Sequence, residues 1–102
     1  MRVFALFNLK PGVSTEDYLA FARERDLPVV NALASVAGFR VFRATGLLGS
    51  EAPAPYSYIE TLDIPDMDAF GADVATPAMQ AIAAQFQAMA DVVFVTTEEI
   101  TA

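Results

Sequence analysis

The sequence predicts an α+β domain of βαββαβ order with a four-stranded antiparallel sheet. Three observations carry that expectation. Four stretches alternate or run apolar as strands do, two capped helical regions separate them, and the chain has more apolar side chains than one small core can hold. Of its 102 residues, 55% are apolar, above the usual globular share. A chain of this length makes one domain, residues 1–102, and buries only about two-thirds of its unfolded surface.

The first strand spans Arg2 to Leu9. Val3, Ala5, Phe7 and Leu9 form one face, and Phe4, Leu6 and Asn8 the other. Both faces are largely apolar, so the strand should be covered on both sides. Lys10-Pro11-Gly12 is a turn. Ser14 is a good N-cap, and Glu16 and Asp17 place negative charge in the first helical turn. The helix should run to about Asp26, because Pro28 lacks an N–H and disfavours the α region at Leu27. A second helical piece, with Pro28 at its first position, carries the chain to about Leu33.

A second strand is expected from Gly38 to about Leu48 and a third from Tyr56 to Ile64, forming a hairpin around the Gly- and Pro-containing segment 49–55. Asp66 starts a short helix through about Asp73. Thr76-Pro77 caps another, in which Met79, Ile82, Ala83, Phe86 and Ala90 share one face. The fourth strand covers Asp91 to Thr97. This order is the split βαβ, ferredoxin-like plan, with helices on one face of the sheet. The opposite face includes Phe4 and Leu6, and a second copy of the sheet is the economical cover. A homodimer is therefore expected.

Composition narrows the chemistry. There is no cysteine and no histidine, which removes disulfides, thiolate nucleophiles, the common zinc patterns and histidine general bases. No metal or cofactor is expected. The lack of cysteine fits a reducing cytoplasm. The residues Met1-Arg2-Val3-Phe4 lack signal-peptide features, and no apolar run approaches the ~18 residues of a membrane span. The net charge of −7 disfavours nucleic acid and anionic membranes as partners. All six basic residues, Arg2, Lys10, Arg23, Arg25, Arg40 and Arg43, precede position 44, and nine acids with no Lys or Arg follow it. No phosphate loop, nucleophile elbow or calcium-loop spacing is present; Gly46-Leu47-Leu48-Gly49 is only a glycine-spaced hairpin segment.

The first helix carries charge where apolar residues belong. On a wheel of about 100° per residue, Arg25 falls between Phe21 and Tyr18, and Asp26 falls close to Leu19. Two readings follow. In one, Asp26 caps the helical piece begun by Pro28 and Arg25 snorkels or pairs with a carboxylate. In the other, both line a pocket, where a partly buried Asp26 has a raised pKa and works as a general acid or base. Further pocket candidates are Tyr58 and Glu60 on one face of the third strand, Arg43 on the second, Asn8 at the end of the first, and Tyr18 with its hydroxyl reaching a partner.

Four segments carry a family resemblance: Val3-Phe4-Ala5-Leu6-Phe7-Asn8-Leu9-Lys10-Pro11-Gly12-Val13, Ala22-Arg23-Glu24-Arg25-Asp26-Leu27-Pro28, the run from Phe39 to Gly49, and Met67-Asp68-Ala69-Phe70-Gly71-Ala72-Asp73. The chain resembles the RedY-like (HapK-type) proteins over nearly its whole length. The resemblance implies a dimeric α+β barrel. Some such proteins are associated with pathways making prodigiosin-type pyrrole pigments and related aromatic products. The wider superfamily includes cofactor-independent oxygenases, cyclases and isomerases, and members without known activity. Many relatives end the first helix with His-x-Pro, the His facing the pocket; Asp26-Leu27-Pro28 stands at that place here. Many also have a His after a Pro-Ala pair at the start of the second helix, where this chain has Met79.

Three functions are consistent with these features. The first is a cofactor-independent enzyme acting on a small hydrophobic or aromatic metabolite, with Asp26 in acid–base work and Arg25 or Arg43 stabilising negative charge. The second is a non-catalytic carrier of a reactive intermediate. The third is a structural dimer whose barrel is filled.

Overall fold

A computed structural model describes residues 1–102. It contains strand β1 (Arg2–Leu9), helix α1 (Thr15–Phe21), a π-helical turn (Ala22–Asp26), helix α2 (Leu27–Asn31), strands β2 (Gly38–Arg43) and β3 (Tyr58–Asp63), helices α3 (Met67–Val74) and α4 (Pro77–Met89), and strand β4 (Ala90–Thr96). The sheet has the order β2-β3-β1-β4, and every neighbouring pair is antiparallel. The expected βαββαβ, ferredoxin-like plan is therefore the observed one.

Local chemistry sets the helix starts. The Ser14 hydroxyl accepts a hydrogen bond from the Asp17 N–H at 3.0 Å. Asp66 accepts from the N–H groups of Asp68 and Ala69, and Thr76 accepts from that of Met79 ahead of Pro77. Each cap satisfies backbone donors that the first helical turn leaves open.

The helix after Ser14 departs from the expected break. It runs from Thr15 to Asn31 without interruption, and the chain absorbs Pro28 by widening one turn. Pro28 has no N–H to give the Glu24 carbonyl, and its ring crowds that carbonyl. In the widened turn the Leu27 N–H donates to the Ala22 carbonyl, five residues back. Asp26 has helical backbone angles and its side chain makes no capping hydrogen bond, which removes the capping role considered for it. The helical run stops at Asn31, two residues short of the expected Leu33. The Asn31 amide bonds the Phe39 N–H and carbonyl, both at 3.0 Å, and so ties α2 to β2.

Two strand boundaries also differ. β2 ends at Arg43 rather than near Leu48, and β3 begins at Tyr58 rather than Tyr56. Pairing continues only as far as Ala44 N–H to Ser57 carbonyl. Beyond it a tight turn joins Leu47 to Ser50, and Gly49 takes a φ of +74° there, a conformation that favours glycine.

Paired residues share a face of the sheet. Val3, Ala5, Phe7, Tyr58, Glu60, Leu62, Phe39 and Phe94 face the helices. Phe4, Leu6, Ile59, Phe42, Val93 and Val95 face the other way; Phe42, Val93 and Val95 are exposed, and no element of the chain covers them.

Candidate functional site

The helix-covered face holds two buried clusters. At one end Phe7, Tyr18, Phe21, Tyr58 and Phe86 pack together. Phe7 stacks on Tyr58 at 5.2 Å between centroids and meets Tyr18 and Phe86 edge-on. At the other end Val30, Val36, Phe39 and Met79 form a looser group. A cavity of about 380 Å³ opens along this second end. Its origin is visible in the strands. Ala5 lies between Glu60 on β3 and Phe94 on β4, so the middle of β1 contributes a methyl group where Phe7 contributes a ring.

The lining is apolar apart from Asp26, Glu60 and Thr96. Asp26 is 6% exposed and Glu60 is 5% exposed. The π-helical turn brings Asp26 in. Tyr18, Ala22, Asp26 and Val30 recur at four-residue spacing, and all are buried. A regular α-helix would drift about 40° for each such step; the widened turn holds the stripe in line. Glu60 enters from the middle of β3, opposite Ala5 and Val41.

Neither carboxylate has a cationic partner. The ion pair of the chain joins Arg2 and Asp63 at 2.7 Å on the surface. Glu60 Oε1 and the Tyr18 hydroxyl are buried without a hydrogen-bond partner. Burial pushes the Asp26 carboxyl up to about 6. Burial, and then the nearby Asp26 charge, push Glu60 up to about 8. Burial raises the Tyr18 hydroxyl as well, followed by the charges of Glu60, Asp26 and Tyr58. Desolvation disfavours the charged form of each group. Glu60 is held toward its protonated form more strongly than Asp26, so between their two titrations one carboxyl can accept a proton while the other can donate one. No group of three or more metal-ligating side chains comes together.

The other expected site residues divide into two sets. Tyr18 and Tyr58 lie in the aromatic cluster, 4.8 Å apart between centroids. Tyr18 is close enough to both carboxylates to feel their charge. Arg25, Asn8 and Arg43 do not line the cavity, and all three are exposed. Arg25, placed on the apolar side by a regular wheel, is carried outward by the π-helical turn and donates to the Gln85 side chain at 2.7 Å. Asn8 anchors the segment before β3, donating to the Pro55 carbonyl and accepting from the Ser57 N–H and hydroxyl. Arg43 closes β2 at the sheet margin.

Sequence reading missed the contribution of α3 and β4. Met67, Phe70 and Val74 of α3 and Phe94 of β4 complete the cavity wall. The repeat Met67, Phe70, Val74 was a readable signal, since spacings of three and four residues mark one helix face.

Comparison with known proteins now places the chain. The family model for REDY-like protein HapK matches residues 1–100. The chain belongs to the HapK (REDY-like) family. Its backbone is similar to the crystal structure of HapK from Hahella chejuensis, with a TM-score of 0.77 and 28% identity, covering 100% of this chain and 95% of that one. It is also similar to SnoaB, a cofactor-independent oxygenase from Streptomyces nogalater, with a TM-score of 0.70 and 19% identity, covering 98% of this chain and 93% of that one. A dimeric ferredoxin-like protein of unknown function from Thermobifida fusca matches with a TM-score of 0.71 and 24% identity, covering 92% of this chain and 85% of that one. The last two likenesses concern the fold. No curated protein matches the chain. No helix is long and apolar enough to cross a membrane.

Proposed function

We propose that this chain is a cofactor-independent enzyme that moves a proton on a small hydrophobic or aromatic metabolite, in a biosynthetic setting, and that it works as a homodimer. One observation carries the reading: two buried carboxyls without cationic partners share one apolar cavity, with pKa values raised to different extents. Asp26 takes a proton from an acidic carbon of the substrate. Glu60 gives its proton to the conjugated carbonyl oxygen. The product is a neutral enol, Asp26 ends protonated and Glu60 ends ionised, so the single negative charge passes from one carboxyl to the other and no enolate charge is added to a cavity without a cation. The apolar wall holds the substrate's carbon skeleton and limits water. Dimerisation is supported by the uncovered apolar sheet face and by the fold likeness to a dimeric ferredoxin-like protein.

Deuterium exchange at the acidic carbon of an aryl 1,3-diketone, benzoylacetone, tests this reading. The wild-type protein should accelerate exchange. Asp26→Asn should lower that acceleration by about 100-fold or more, while circular dichroism and sedimentation show an unchanged fold and dimer. Equal exchange by the two proteins would remove Asp26 from the chemistry.

A second reading, a non-catalytic carrier of a reactive intermediate, is favoured by one feature. No cationic side chain lines the cavity, so Arg25 and Arg43 are not placed to stabilise an anion there. Ligand binding that survives Asp26→Asn, with no exchange by the wild type, would support the carrier.

A further inference from the structure

The charges around the cavity are distributed in one sense only. Its lining contains two acids and no base. The six basic residues of the chain are all engaged elsewhere or lie outside. Arg2 pairs with Asp63, Arg25 bonds Gln85, and Arg40 lies 5.1 Å over the Phe42 ring on the opposite sheet face. Arg23 and Arg43 are exposed, and Lys10 follows the end of β1.

From this we infer that the cavity selects a flat apolar ligand bearing a protonated nitrogen, of amine or amidine type, and rejects carboxylates. The inference rests on the reading of this cavity as the ligand site and names the class of molecule it takes. Two further observations support it. Glu60 lines the cavity, and its Oε1 is buried and has no partner. Ionising a carboxyl away from water is costly, and a bound cation compensates the charge of Asp26 or Glu60 while an anion adds to the cost. The rest of the lining offers aromatic and aliphatic surface, including Phe39, Phe70 and Phe86, which suits a ring system, and aromatic faces attract cations. An amidine adds two parallel N–H donors, the geometry a carboxylate accepts best.

An isosteric trio separates the possibilities: 2-naphthamidine as cation, 2-naphthamide as neutral donor and 2-naphthoate as anion. Equilibrium binding to the full-length protein should be at least about tenfold tighter for the amidine than for the amide, with the naphthoate unbound. The overall charge of −7 would itself favour cations at the surface, so a double variant is needed. In Asp26→Asn with Glu60→Gln, the surface is unchanged and the preference for the amidine should vanish. Naphthoate binding as tightly as the amidine would overturn the inference. So would a preference that persists in the double variant, or the absence of binding by all three probes. The readout is binding, not turnover. Lost exchange chemistry with the amidine preference intact would therefore end the catalytic reading alone, and exchange chemistry without the preference would end this one alone.

Discussion

The covered side of the sheet has a filled end and a hollow end, built from the same strands. At the filled end, Phe7 on β1 meets Tyr58 on β3 and is fully buried among rings. Two positions earlier on the same strand face, Ala5 meets Glu60. Replacing a ring by a methyl group changes what the neighbouring position can hold. The aromatic end buries the Tyr18 hydroxyl without a partner among rings, whereas the hollow end keeps two carboxyls beside open space. Stability is concentrated in the first region and chemical potential in the second.

The largest expected effect breaks the filled end. Phe7→Ala should cost about 3–5 kcal/mol, the usual loss for a fully packed ring. That is a large fraction of the roughly 5–15 kcal/mol total stability of a small domain. Met79→Ala at the hollow end should cost about 2 kcal/mol, the low end for a buried methionine, because one side of Met79 already faces open space. Urea denaturation midpoints at one protein concentration compare the two. Equal losses would mean that the two ends are packed alike.

The next effect comes from the hollow end and depends on pH. Glu60 titrates near 4.5 when unfolded and near 8 when folded. Between those values the folded chain holds more protons than the unfolded one, so stability falls as pH rises. The loss is complete above about 8 and absent below about 4. At about 1.4 kcal/mol per pH unit of that interval, ionising Glu60 in place costs on the order of 5 kcal/mol. Asp26 adds a smaller decline between its ordinary value and about 6. Glu60→Gln should flatten the upper part of the curve and make the variant more stable than wild type at pH 8.5. A thermal denaturation series from pH 4 to 9 measures this. A wild-type curve that is flat, or that rises over this range, would mean that Glu60 is solvated or paired in solution.

The fold was largely legible because periodicity and caps are local signals. Val3, Ala5, Phe7 and Leu9 alternate, Ser14 and Thr76 cap, and these features were enough to order the elements. Asp26 was legible as an acid on an apolar helix side, and Glu60 as an acid sharing a strand face with Tyr58. The π-helical turn was not legible. It is a tertiary compromise between Pro28 and the packing of Tyr18, Ala22 and Val30, and a wheel with fixed angular steps cannot represent it. The place of Asn8 outside the cavity was not legible for another reason: its partners, Pro55 and Ser57, are about fifty positions away in sequence. The end of β2 was misread because apolar Leu47 and Leu48 look like strand residues, although Leu48 is fully exposed at a turn.

The smallest expected effect sharpens the boundary between inside and outside. Arg25 and Asp26 are adjacent in sequence, and the π-helical turn sends one to solvent and the other into the cavity. Arg25 makes one exposed hydrogen bond, to Gln85 on α4. Exposed contacts of this kind contribute within about 0.5 kcal/mol, so Arg25→Ala should lower the melting temperature by no more than about 2–4 °C. Ligand affinity and the pH dependence of stability should be unchanged, because the guanidinium does not line the cavity. A shift in the pH curve would mean that the Arg25 charge reaches Asp26. The carboxyl pair would then have a cation within range, and the hollow end would be less isolated than its lining indicates.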